Sequence, residues 1–317
     1  MGDNNISQSD LIAFNLDVVI KYIQFFDFSF FILKPNQKFV EIAIDHKHLH
    51  TTIVGYQLRG INEIYLRQAD YDKFTKLLRM SLAQNTSYSD AILDMRHLYS
   101  SIRGQLLSLG LNPLTIRAAE EMNNVVIEQL SHCQGITQLM NDFKNRLPDN
   151  FLSYIMLSYI STSMINMFSW RGQQIKLKIG MASLLCDVCL TQKDIDRMHR
   201  EDYYEWPETL KMYPMNIARL LSEKSSLISA EVIQMIEMHR ELPDGSGFPR
   251  HMHHPAIPQL PSIFIVAYNF VMKMMGKNLD ENTIPDVLQD IYSNFNQGIF
   301  HQATLSLFST LGTTLPT

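Results

Sequence analysis

Cysteine is scarce in this sequence, which holds 3 cysteines among 317 residues. An odd number of cysteines without a secretory signal argues against a disulfide framework, so we expect reduced thiols. The N-terminal residues lack the basic segment and the apolar run of such a signal. The most apolar runs, such as residues 263–275, fall far short of the roughly 20 residues needed to cross a bilayer. These absences predict a cytoplasmic protein with no membrane span, which meets the inner membrane only through a larger complex.

An excess of either charge is also missing. The chain has 27 basic and 32 acidic residues, and its formal net charge is -5. A basic surface that would attract nucleic acid is therefore not expected, and we predict no nucleic-acid partner. What the chain does have is apolar material: 46% of the residues are hydrophobic, which at this length suffices for sizeable cores in two domains.

The first hundred residues carry strand signals. Two β-prone apolar runs, at residues 28–33 and 38–44, flank a Pro-Asn-Gln turn at 35–37, which predicts an antiparallel hairpin. Residues 61–66 read as a further strand, and residues 71–82 have apolar side chains at helical spacing. We predict a small α+β module over residues 1–100, with a helical linker to about residue 105.

From about residue 106 the apolar side chains recur at helical spacing to the end of the chain. An Asn-Pro pair at 112–113 is a typical helix start, with Pro at the first helical position. The prediction is an all-helical domain over residues 106–317, so that the whole chain belongs to the α+β class. After the helix that begins at Pro113, further helices are expected at residues 136–147, 150–168, 176–190, 206–221, 229–241, 262–275 and 283–295.

The run from Met235 to Pro249 reads Met-Ile-Glu-Met-His-Arg-Glu-Leu-Pro-Asp-Gly-Ser-Gly-Phe-Pro. It resembles the signature of the HD-GYP family, metal-dependent phosphodiesterases of cyclic di-GMP, which has the form His-His-Glu-x-x-Asp-Gly-Ser-Gly-Tyr-Pro. The paired histidines are His239 and Arg240 here, and Phe248 replaces the tyrosine. The resemblance implies a helical HD-type fold and a loop that supplies a protein-contact surface. The residues of this candidate interaction loop are Asp244, Gly245, Ser246, Gly247, Phe248 and Pro249.

The resemblance extends over roughly residues 106–310, so the family's metal-ligand positions can be followed along the chain. In the family's Leu-Leu-His-Asp-Ile-Gly-Lys motif Asp187 is retained, but Cys186 replaces the histidine. Tyr213 stands at the histidine of Lys-x-His-Pro, and Tyr268 stands at the aspartate of Val-Ala-Asp. Arg240 is a permanent cation that repels a divalent metal. The family's first histidine has no counterpart near residues 152–156.

Only Asp187 and His239 are retained, and two ligands do not hold a binuclear centre. We therefore predict a degenerate HD-GYP domain with no catalytic residues, no metal and no cofactor. Tyrosine hydroxyls and the Arg240 guanidinium are expected to satisfy Asp187, which pairs with Arg240 or with His239. The remnant of the ancestral site consists of Cys186, Asp187, Tyr213, His239, Arg240 and Tyr268.

Cys186 and Cys189 form a C-x-x-C pair that suggests half of a zinc site, with the other half from histidines that follow the loop, namely His251, His253 and His254. The favoured interpretation is different. On a helix from residue 176 to 190 both thiols share an apolar face, so we expect both to be buried.

These observations predict a catalytically inactive scaffold, adaptor or regulatory subunit of a larger bacterial assembly, with other protein subunits as partners. The resemblance suggests the cytoplasmic face of an envelope machine such as a secretion system or flagellar motor. The first alternative is a sensor that binds cyclic di-GMP or another nucleotide without cleaving it, with Arg240, Arg250 and Lys193 as candidate phosphate partners. The second alternative is a phosphodiesterase with a rebuilt metal site.

Overall fold

The computed structural model describes residues 11–21, 23, 26–34, 38–42, 48–61, 63–85, 88–109, 113–201, 203–223, 227–275, 277 and 283–313. Over these residues a small four-stranded sheet precedes a mostly helical region, which confirms the predicted α+β class. The chain divides into two compact units, Met1–Gln129 and Leu130–Thr317. The boundary predicted near residue 106 lies inside the first unit, and the proposed division into module and helical domain stays a prediction.

The sheet of the first unit is antiparallel throughout, with strand order β1-β4-β2-β3. The strands β2 and β3 form the predicted hairpin, whose turn residues 35–37 lie outside the described residues. The strand β1 was not predicted, because its apolar residues are buried consecutively and do not alternate. The strands are β1 (Leu11–Asn15), β2 (Phe30–Leu33), β3 (Phe39–Ile42) and β4 (Glu63–Arg67).

Helices pack against this sheet. Tyr71 and Phe74 lie three residues apart on α3, and both rings meet Phe14 of β1 edge-on, at centroid distances of 5.8 and 4.9 Å. The predicted helix at 71–82 lies within α3, and the predicted helical linker to about residue 105 lies within α4, whereas α1 and α2 were not predicted. The helices of this unit are α1 (Leu16–Lys21), α2 (Leu49–Gln57), α3 (Gln68–Asn85), α4 (Tyr88–Leu109) and α5 (Pro113–Leu130), the last of which reaches the unit boundary.

The described part of the second unit is helical. Every helix predicted here is found in some form, but the one expected at 206–221 is divided into α10 and α11, and α9 and α15 were not predicted. The helices are α6 (Ile136–Phe143), α7 (Asp149–Ile165), α8 (Gln173–Leu185), α9 (Gln192–Arg200), α10 (Glu208–Lys211), α11 (Tyr213–Ser222), α12 (Ala230–Met238), α13 (Gln259–Met275), α14 (Thr283–Phe295) and α15 (Ile299–Thr310).

The core of this unit is built on α7 and α13, which pack against each other and against α15. Both helices are apolar on nearly all sides, which is typical of buried helices. The helix α12 packs against α8, α11 and α13. Within the described ranges, no helix has the length and apolar character required to traverse a lipid bilayer.

Candidate functional site

The six residues predicted as the remnant of a site come from separate elements that converge around α12. Cys186 caps the end of α8, and Asp187 follows it in a turn. Tyr213 opens α11, whereas Tyr268 lies within α13. His239 and Arg240 follow the last residue of α12 directly. We call this group the Asp187 cluster: Cys186, Asp187, Tyr213, His239, Arg240 and Tyr268.

The carboxylate of Asp187 is held by two tyrosine hydroxyls. Tyr213 donates to Oδ1 and Tyr268 donates to Oδ2, each over 2.8 Å. His239 Nε2 lies 3.5 Å from Oδ1, and Arg240 Nη2 lies 3.9 Å from it. Burial alone would raise the pKa of Asp187, but the positive charge of Arg240 and the hydrogen bonds that the carboxylate accepts outweigh burial and lower this pKa to about 2. Asp187 is therefore an anion at neutral pH although its side chain is only 21% exposed.

The hydroxyl of Tyr213 is the hub of the cluster. It accepts a hydrogen bond from Arg240 Nε over 2.6 Å and lies 2.8 Å from both Asp187 Oδ1 and His239 Nε2. His239 Nδ1 faces the carbonyl oxygen of Ile236 at 2.6 Å, so Nδ1 carries a proton. Burial lowers the pKa of His239, which favours the neutral ring with a bare Nε2. The single proton of Tyr213 therefore has two acceptors, Asp187 and His239.

The guanidinium of Arg240 lies between two aromatic rings. Its central carbon is 5.6 Å from the ring centroid of Tyr213 and 4.5 Å from that of Tyr268, which is cation–π geometry. The side chain is 14% exposed. Because guanidinium does not lose its proton in proteins, it is a permanent positive charge beside Asp187.

The family resemblance implies metal ions, and their fit can be tested on this cluster. Cys186 Sγ, an Asp187 oxygen and a His239 nitrogen lie within 4.8 Å of one another; among the residues that the structure describes, no other such group is present. However, both Asp187 oxygens and His239 Nε2 already face tyrosine hydroxyls, and Arg240 repels a divalent ion. Burial also raises the pKa of the Cys186 thiol, although a metal requires the thiolate. The residues present do not fit a divalent metal ion.

Local hydrogen bonds and close backbone packing fix the conformation of the candidate interaction loop. The Asp244 carboxylate accepts hydrogen bonds from the backbone N–H of Ser246 over 3.0 Å and from its hydroxyl over 2.6 Å. A Cβ at Gly247 would collide with the backbone of Glu241 and Leu242, so only glycine fits there. Asp244 and Ser246 are exposed, whereas Gly247 and Phe248 are buried. The exposed surface of the loop is therefore smaller than the predicted six residues.

Glu241 was not singled out in the sequence, although the family pattern has a glutamate at this position. Its side chain is fully buried, and its two oxygens accept hydrogen bonds from the backbone N–H groups of Arg250 and Met252, over 2.8 and 2.9 Å. A carboxylate that accepts from backbone N–H groups on a following segment fixes that segment in place. Glu241 thus anchors the chain that leaves the loop.

An aromatic surface lies beside the loop, and the sequence did not predict it. The ring of Phe248 stacks on Tyr203 at a centroid distance of 4.9 Å and meets Trp206 edge-on. Tyr204, which follows Tyr203 in the chain, is 88% exposed. Lys211 lies over the Tyr203 ring at 5.1 Å. We call the following residues the rim surface: Tyr203, Tyr204, Lys211, Asp244 and Ser246.

The expectation that both thiols of the C-x-x-C pair are buried is wrong for one of them. Cys186 is buried, but Cys189 is exposed, because α8 ends at Leu185 and the pair lies in the turn that follows. Within the described residues, Cys189 and the candidate zinc histidines His251, His253 and His254 join no group with metal-ligand spacing. Instead, the ring of His253 lies so close to Gly245 that a Cβ there would be 2.6 Å from its Cε1.

The candidate phosphate partners of the sensor alternative have different surroundings. Arg240 binds Tyr213 inside the Asp187 cluster, whereas Arg250 forms an ion pair with Glu237. Lys193 is exposed in the first turn of α9. The two arginines are thus each engaged by a protein side chain.

The comparison with protein-family models finds no match, and the search of curated proteins finds none either. Among solved structures, the chain is similar to "Bd1817, a HDG"Y"P protein from Bdellovibrio bacteriovorus". The two chains are 13% identical and align with a TM-score of 0.56, over 96% of this chain and 100% of that one. At this identity the likeness concerns the fold alone. The chain therefore has an HD-GYP-like fold, as the sequence motif predicts.

Proposed function

We propose that this protein is a non-catalytic HD-GYP-like protein that acts as a scaffold, adaptor or regulatory subunit of a larger bacterial assembly. One observation carries the proposal: the Tyr213 hydroxyl lies 2.8 Å from both Asp187 and His239, the two retained ligand positions. Metal-assisted hydrolysis needs open ligand atoms and a metal-bound water. Because the side chains of the Asp187 cluster hydrogen-bond to one another, they leave no open ligand atoms and no metal-bound water.

The rim surface supports a binding role. Tyr204 is 88% exposed, and tyrosine is among the residues enriched at protein interfaces. The neighbouring loop is held by Asp244 and by the buried Glu241 carboxylate. A surface that is already ordered loses little conformational entropy when a partner binds. The proposed partner contact is therefore the rim surface.

Affinity capture from the native host tests this role. The experiment compares the wild-type chain with Tyr204→Ala and with Leu220→Ala, a matched change at another exposed side chain of the same unit. Wild type and Leu220→Ala should recover the same partner subunits, whereas Tyr204→Ala should recover about tenfold less, as expected for a hot-spot side chain. A wild-type chain that elutes alone, or equal recovery with Tyr204→Ala, would contradict the scaffold role.

The proposed lack of catalytic activity is tested by a separate assay. Cyclic di-GMP is incubated with the wild type and Asp187→Asn in the presence of Mn²⁺ or Fe²⁺. Both should show only background hydrolysis, because neither has open metal ligands. Hydrolysis that Asp187→Asn abolishes would show that the protein is an active phosphodiesterase.

Calorimetry with cyclic di-GMP in the absence of metal tests the sensor alternative. Binding heat that Arg240→Met removes would favour this alternative.

A further inference from the structure

Metal ligands normally need a cation to neutralise them, and the Asp187 cluster contains a cation of its own. Tyr213 presents its hydroxyl to Asp187 Oδ1 and to His239 Nε2 at the same distance of 2.8 Å. Arg240 Nε donates to that hydroxyl over 2.6 Å. We infer that the Tyr213 hydroxyl and the Arg240 guanidinium together take the place of a divalent cation in the Cys186, Asp187 and His239 group.

The chemistry of the two groups matches this role. A divalent ion would offer positive charge to the Asp187 carboxylate and to the lone pair of His239. Here the hydroxyl proton is presented to those same two acceptors, and the guanidinium supplies a charge that does not titrate away. Tyr268 completes the arrangement by donating to Asp187 Oδ2. In the Asp187 cluster the cation is therefore a side chain, Arg240, in place of a metal ion.

The same geometry predicts a latent metal site. Ligand atoms around one tetrahedral zinc ion lie about 3.3 to 3.8 Å apart, given the usual zinc–nitrogen, zinc–oxygen and zinc–sulfur distances. The ligand atoms of Cys186, Asp187 and His239 all lie within 4.8 Å of one another, so small side-chain movements bring them to that spacing. A bound zinc ion displaces the proton of the Cys186 thiol, so what prevents binding in the wild type is the intervening hydroxyl and the adjacent positive charge. Removal of both groups, with the three ligands kept, should allow zinc to bind.

The test measures zinc content after equilibration with zinc and removal of the excess. The wild-type chain should retain less than about a tenth of an equivalent, and the double variant Tyr213→Phe/Arg240→Met should retain about one equivalent. Adding Asp187→Asn to the double variant should return the zinc content to the wild-type level. With Co²⁺, the double variant should show a thiolate charge-transfer band, and Cys186→Ser should remove that band.

Two results would overturn the inference. One is a wild-type chain that retains stoichiometric zinc and melts at a higher temperature with it. The other is a folded double variant that takes up no zinc. If the double variant folds only in the presence of zinc, that dependence supports the latent site, since structural zinc contributes directly to folding.

A second measurement decides the matter if the double variant does not fold at all. Arg240→Met is introduced into the wild type and into Asp187→Asn, and the melting temperatures are compared as a double-mutant cycle. The charge role predicts a larger loss in the wild type, where Asp187 is left without its cation. Arg240→Lys, which keeps the charge, should lose less than Arg240→Met. Equal losses for Arg240→Met in the two backgrounds would overturn the inference. None of these outcomes depends on a partner, so they are independent of the proposed scaffold role.

Discussion

Acidification of the wild type and of Asp187→Asn tests whether the Asp187 cluster stabilises the fold through the charge of its carboxylate. In the folded chain the pKa of Asp187 is lowered from 3.8 to about 2. The folded state therefore prefers the ionised carboxylate more strongly than the unfolded chain does. Stabilisation from this preference is complete above pH 3.8 and disappears as the pH falls towards 2.

The size of the effect follows from the shift. A change of one pKa unit corresponds to about 1.4 kcal/mol, so lowering the pKa from 3.8 to about 2 corresponds to about 2 to 3 kcal/mol of unfolding free energy. Asp187 is only 21% exposed, so solvent screening reduces this figure little. His239 acts in a different range: its lowered pKa means that the unfolded chain binds a proton first as the pH falls below 6.5. The Asp187 contribution is therefore measured below pH 4.

Tryptophan fluorescence reports on the right part of the chain, because both tryptophans, Trp170 and Trp206, belong to the second compact unit. Urea unfolding is followed at a series of pH values for wild type and for Asp187→Asn. Wild type should be the more stable at neutral pH, and the difference in unfolding free energy should shrink by about 2 kcal/mol between pH 4 and pH 2. A difference that stays constant over this range would refute the reasoning.

Three further tests of the local geometry use the same unfolding assay. Gly247→Ala should cost about 1–3 kcal/mol because its Cβ meets backbone, and Gly172→Ala, which has open space, should be nearly neutral. Glu241→Gln should cost about 1–3 kcal/mol, since an amide offers one acceptor oxygen where two backbone N–H groups need two; an unchanged midpoint would show that the anchor is not needed. Tyr213→Phe should destabilise more than Tyr268→Phe, because the first hydroxyl contacts Arg240 and His239 as well as Asp187. The reverse order would contradict the hub role.

Much of the fold could be predicted because its strongest signals are periodic. The helix at Thr283–Phe295 was predicted with its observed bounds, since its apolar residues follow the helical period closely. The helix α9 was missed because it is strongly polar and its apolar face is too small to detect. The sequence nevertheless contains a start signal for this helix. Thr191 and Asp194 form a capping box, with reciprocal hydrogen bonds between side chains and backbone.

The site was less accessible to sequence reasoning than the fold. The residue types at positions 186, 213, 240 and 268 are read from a motif, but the central position of the Tyr213 hydroxyl is not. That position depends on how the ends of α8, α11 and α12 converge, and no local pattern encodes this convergence. The exposed Tyr204 was missed for a similar reason. Tyr203 and Trp206 pack against Phe248, whereas Tyr204 is exposed, and these tertiary contacts are not encoded in the local sequence.

Backbone geometry and local hydrogen bonds fix the first four residues of the Asp-Gly-Ser-Gly-Phe-Pro run. Gly247 has no space for a side chain, and Gly245 has a φ of 81°, in the region that favours glycine. Asp244 holds the turn through Ser246, and Glu241 holds the segment that follows. None of these constraints involves the ligand atoms of Asp187 or His239. The loop can therefore retain its residues while the Asp187 cluster changes, so a match to this part of the motif is evidence for the fold and says nothing about hydrolysis.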